Sequence, residues 1–192
     1  MASNSAREKI SDAAFRVLAK TRWDALKLAD VAKAAKMPLA TLVRDVPAKP
    51  ALIGMMLRLT VDDAIRRHKP ERGSHSAHDR VFDVAMNWFE AQASRKAAVH
   101  SLYEGLKRDP LALIAARDDI HSAANTLLAL AQADDGRANL KALGLALAIA
   151  RAVPGWLEDD KDLSKTMASL DTDLRRGADL LRRFDPKAKP EA

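Results

Sequence analysis

Leu28-Ala29-Asp30-Val31-Ala32-Lys33-Ala34-Ala35-Lys36-Met37-Pro38-Leu39-Ala40-Thr41-Leu42-Val43-Arg44-Asp45-Val46-Pro47-Ala48-Lys49 reads as two short helices joined by a tight turn. Leu28, Val31, Ala32 and Ala35 recur at the three-and-four spacing that places side chains on one helical face. Leu39, Leu42, Val43 and Val46 repeat the pattern in the second helix. Lys36-Met37-Pro38 forms the turn, with Met37 as its apolar plug and Pro38 at or just before the first turn of the second helix. Pro47 ends that helix by pushing Val46 out of helical geometry. A helix-turn-helix of this kind lays its second helix in the DNA major groove while the first crosses the backbone. Spacing alone also fits a plain helical hairpin with no nucleic-acid role.

The segment resembles the DNA-binding domain of TetR-type transcriptional regulators. The resemblance rests on Val31-Ala32, then Ala35-Lys36-Met37-Pro38, then Ala40-Thr41-Leu42-Val43-Arg44-Asp45-Val46-Pro47-Ala48-Lys49, in the family's order and spacing. It departs where Lys36 replaces a turn glycine, Pro38 a serine, Val43 a tyrosine and Asp45 a histidine. The resemblance implies that Lys27, Pro38, Leu39, Ala40, Thr41, Val43, Arg44 and Lys49 face DNA. Asp45 brings negative charge towards a phosphate-lined groove and sits at a helix C-terminus, where the dipole disfavours an anion. Val43 lacks a hydroxyl donor but can touch a thymine methyl.

Charge points the same way. Residues 1–70 hold 14 Lys/Arg against 7 Asp/Glu, whereas residues 71–192 hold 18 against 19, so the excess of the +6 chain lies with the helix-turn-helix. That asymmetry is the footprint of a nucleic-acid-binding module, although a solvated basic face or attraction to anionic lipid headgroups produces it too. At 192 residues and 48% apolar composition the chain is globular, as one or two domains. With no cysteine there is no disulfide, thiolate metal site or cysteine nucleophile, which fits a reducing cytoplasm. The polar N-terminus predicts no signal peptide, and no membrane span is expected.

The whole chain reads as all-α, about nine helices. Residues 1–50 are expected to form the helix-turn-helix domain, 51–69 a connecting helix and 76–185 a ligand-binding and dimerisation domain. Helix 1 spans about Ala6 to Lys20 after a Ser5…Glu8 capping box, with Ile10, Ala13, Ala14, Val17 and Leu18 buried and Trp23 as a lid. The connecting helix begins near Pro50, and Lys49 ahead of it is placed to meet a phosphate. His68 to Ser76 is a polar break; its His68 and His75, with His78 beyond, lack partners at ligand spacing and read as loop. Helices follow at about 77–93, 96–107, 110–133, 138–153 and 163–184, with turns at Asp134-Asp135-Gly136 and Pro154-Gly155 and a charged, disordered tail from Asp185.

In TetR-type regulators the last two long helices pair with their twins. That resemblance implies a homodimer through Leu143, Leu147, Met167, Leu170 and Leu174; the alternative is that the very apolar helix from Ala138 is the centre of a monomeric bundle. It also implies a pocket for a small hydrophobic ligand among Met86, Trp88, Phe89, Tyr103 and Trp156, residues whose spacing equally fits ordinary core. A second resemblance competes. Trp156-Leu157-Glu158-Asp159-Asp160 and Thr166-Met167-Ala168-Ser169-Leu170-Asp171, with Leu174, are similar to TetR-fold lipid-binding accessory proteins of ubiquinone synthesis, which are not thought to act as repressors. No phosphate-binding glycine loop or catalytic pair occurs, and His100 and His121 are isolated, so no enzyme, cofactor or metal is expected. The expected function is a repressor that binds a double-stranded DNA operator.

Overall fold

The computed structural model describes residues 4–69, 76–135, 137–160 and 162–183. Its elements are α1 (Asn4–Leu18), α2 (Leu28–Ala34), α3 (Leu39–Asp45), α4 (Ala51–Arg67), α5 (Ala77–Ala91), a short 3-10 turn (Ala93–Arg95), α6 (Lys96–Leu106), α7 (Pro110–Ala115), α8 (Arg117–Leu130), α9 (Ala138–Glu158) and α10 (Ser164–Arg183). The described residues contain no strand, so the fold is all-α. They pack as two compact units, residues 1–63 with 91–120 and residues 64–90 with 121–192.

The first unit is built on α1. Ile10, Ala13, Ala14, Phe15 and Leu18 are buried with Val31 and Ala32 of α2, Leu42 and Val46 around α3, and Leu52, Ile53, Met56 and Leu59 of α4. The Arg16 guanidinium of α1 donates to the Ala34 carbonyl at 2.9 Å, serving one of the acceptors that the end of α2 leaves open. Trp23 is buried against α6, where Gly105 is required: a Cβ there would lie 2.2 Å from the Trp23 Cβ. Arg95 ties three elements together. It donates to Asp63 of α4 and to Gln92 Oε1 at 3.0 Å, lies 3.5 Å from Asp12 of α1, and stacks 4.9 Å from the Phe15 ring.

In the second unit α9 packs along α10. Asp159 caps α10, accepting from the Thr166 amide and hydroxyl, each at 2.7 Å, and from the Lys165 amide at 3.2 Å. Burial pushes this carboxyl up, but the Thr166 hydroxyl and amide and the Lys165 amide outweigh it and hold it below its ordinary value.

Four expectations are corrected. Asn4 already lies in α1, so Ser5 sits inside the first turn and does not cap it. The helix expected over 110–133 breaks at Ala116: Asp109 caps α7 through the Ala112 amide at 3.0 Å, and Asp118 and Asp119 open α8 with the acids that a helix start favours. Leu113 and Ile114 are exposed on α7.

The third concerns α9, which runs through Pro154 to Glu158. Pro154 and Ala150 one turn earlier are both exposed, so water can reach the carbonyl that proline cannot serve, while Val153 and Trp156 anchor the helix on its buried side. α9 is 21 residues long, with a mean hydropathy of 1.4 over its most apolar stretch, and is the one helix among the described residues that is long and apolar enough to cross a membrane by length and composition.

Last, His78 is not in a loop: it lies on α5, half-buried, with Nε2 2.8 Å from Asp171 of α10. The expected break at Pro70 to His75, the Gly136 turn position and the tail from Asp185 lie outside the described residues.

Candidate nucleic-acid interface

The turn between α2 and α3 is set by one backbone conformation. Lys36 adopts φ 54, the left-handed region, which lets the Met37 amide reach back to the Ala32 carbonyl at 3.0 Å. Pro38 then stands at the N-cap of α3 with φ −61, the value its ring imposes. Val46 leaves helical geometry at the other end, ahead of Pro47, as expected.

At about 3.6 residues per turn, a helix that buries Leu42 and Val46 presents its opposite side to solvent. Pro38, Leu39, Ala40, Thr41, Val43 and Arg44 are all exposed, and Asp45 is half-buried. Six of the expected DNA-facing residues therefore lie together on and just before one short helix. Lys27 is also exposed, at the N-cap of α2, and Lys33 and Lys36 add exposed cations on α2 and the turn.

Lys49 is placed differently. It is half-buried, its ammonium donates to the Trp23 carbonyl at 3.0 Å, and it lies 4.8 Å above the Trp23 ring. These contacts tie Lys49 to the loop after α1. The Trp23 indole N–H in turn donates to Asp109 Oδ2 at 3.1 Å. That bond, the Ala112 amide and the Lys49 charge hold the Asp109 carboxyl below its ordinary value.

Sequence reasoning missed a groove of about 890 Å³ beside Trp23, lined by Lys20, Arg22, Lys49, His100, Glu104 and Asp109 among others. Two pairs of its charged groups serve one another: Arg22 with Asp24 at 2.7 Å and Arg108 with Glu104 at 4.0 Å.

The residues expected around a ligand divide between the two units. Met86, Trp88, Phe89 and Trp156 are buried in the second; Trp88 meets Phe89 edge-on with ring centres 5.1 Å apart, and Phe89 lies 5.8 Å from Trp156. Tyr103 belongs to the first unit, half-buried, with the Lys107 ammonium 5.4 Å over its ring.

Of the residues expected at a dimer interface, Leu143, Leu147 and Met167 are exposed and Leu174 is half-buried. Leu170 is fully buried within its own chain. Leu140, a turn before Leu143 on α9, is also half exposed and extends the apolar stripe; its spacing in the sequence was the signal.

No protein-family model and no curated protein matches the sequence. Solved structures do match the fold. A TetR transcriptional regulator from Nitrosomonas europaea ATCC 19718 superposes with TM-score 0.65 at 17% identity, over 90% of this chain and 97% of that one. A TetR transcriptional regulator from Rhodococcus sp. RHA1 gives 0.59 at 18%, over 97% and 100%. A TetR-family transcriptional regulator from Streptomyces coelicolor gives 0.55 at 19%, over 97% and 86%. With an exposed α3 set on a three-helix head, and with this likeness over nearly the full length of the chain, the protein has the TetR fold.

Proposed function

We propose that the protein is a DNA-binding transcriptional regulator, a repressor that acts in the cytoplasm as a homodimer and is released by a small hydrophobic effector. The observation that carries this reading is the outward face of α3, Pro38 to Arg44, standing on a part of the chain with 14 Lys/Arg against 7 Asp/Glu over residues 1–70. Lys27, Lys33 and Lys36 serve as the phosphate-facing rim, and α3 enters the major groove. The exposed leucines of α9 with Met167 join two copies, which places two recognition helices on two operator half-sites. Residues 1–50 are the reading head, 51–69 the connecting helix and 76–185 the effector and dimerisation part. An effector bound near Met86, Trp88, Phe89 and Trp156 would favour a dimer whose two heads no longer match successive grooves. No catalytic role is assigned.

Binding-site selection from random duplex DNA at physiological salt tests this directly. The expected result is one enriched palindromic site. Arg44→Ala and Lys27→Ala are each expected to weaken binding to all duplexes and to reduce the salt slope by about one unit where a phosphate contact is lost. A wild-type chain that ignores every duplex in dilute buffer, and instead carries extracted lipid, refutes the regulator.

A further inference from the structure

We infer that α3 selects its duplex by the C5-methyl groups of pyrimidines in the major groove, through Leu39 and Val43; this rests on the DNA-binding reading above. Leu39 is 44% exposed and Val43 is 39% exposed. They stand one turn apart, so their side chains form one apolar flank, and Ala40 continues it towards the centre of the exposed face. Leu42 and Val46 already fill the core side of the helix, so the packing of the head does not need the two exposed residues.

The remaining chemistry of the face is sparse. Arg44 supplies a charged donor fork for a phosphate, Thr41 supplies one hydroxyl, and Asp45 is half-buried on the opposite flank. The apolar flank offers no donor and no acceptor. In the major groove the apolar feature on a base edge is the methyl at C5, carried by thymine and by 5-methylcytosine. Facing Leu39 and Val43, a methyl at C5 gains apolar contact that a C5–H does not offer. The cations around this face, Lys27, Lys33, Lys36 and Arg44, favour a polyanionic duplex as the occupant over an apolar protein groove.

The test starts from the duplex enriched by selection, so the DNA-binding reading stands or falls before this one is tried. Each thymine is replaced singly by deoxyuracil, which removes only the methyl. One or two positions are expected to lose about three- to fivefold in affinity per methyl. Those losses should vanish in a Leu39→Ala, Val43→Ala double variant, whose buried Leu42 and Val46 are untouched. At the sensitive positions 5-methylcytosine in place of thymine should bind better than cytosine. A second selection from a pool with every cytosine methylated separates the two sources: enrichment of methylated cytosine over thymine at those positions assigns the methyl to 5-methylcytosine, and retained thymine assigns it to thymine. A tightly bound duplex in which no deoxyuracil substitution changes affinity overturns the inference while leaving the regulator in place.

Discussion

Replacing Lys36 by glycine is expected to stabilise the protein. Lys36 holds φ 54 in the turn between α2 and α3, a conformation in which an L side chain crowds the neighbouring carbonyl. That crowding costs about 1–2 kcal/mol, while glycine loses about 0.5–1 kcal/mol more chain entropy on folding. The balance favours glycine by about 0.5–1 kcal/mol, a rise of about 1–4 °C in melting temperature for a chain of this size. Lys36→Ala supplies the control, since it removes the same charge and keeps the crowding. Lys36→Val adds a β-branch and should fall below both. Urea unfolding at constant slope reads the differences without interference from DNA. If the glycine variant unfolds at or below the urea midpoint of the alanine variant, the turn does not use the left-handed conformation, and the orientation of α3 derived from it is wrong.

Two further outcomes are expected. Asp159→Asn should lower stability at neutral pH by about 1–2 kcal/mol by weakening the cap of α10. Because folding holds the Asp159 carboxyl below its ordinary 3.8, its contribution is present above that pH and fades as the pH falls through the folded value. The asparagine variant should therefore show a shallower acid-side loss of urea midpoint, and a pH profile parallel to the wild type would refute this role. Leu143→Asp with Leu147→Asp puts charge on the exposed stripe of α9 while sparing the buried Ala142, Leu145 and Ala148. Sedimentation should then show monomer where the wild type shows dimer, and an unchanged dimer would move the interface elsewhere.

Local pattern on the chain determined the all-α class, the two helices around Met37 and the stop at Pro47, because the apolar period, the turn residues and proline act over a few residues each. It also drew Leu39, Leu42, Val43 and Val46 onto one face of α3, of which the structure buries Leu42 and Val46 and leaves Leu39 and Val43 exposed. Packing decided what pattern leaves open. Lys49 is engaged by Trp23, a residue far from it in sequence whose place is made by the missing side chain at Gly105. Pro154 is tolerated because it falls on the exposed side of α9, and Leu170 turns inward while Leu143 and Leu147 do not. Such outcomes depend on which face of each helix finds a neighbour, and periodicity states only that a face exists.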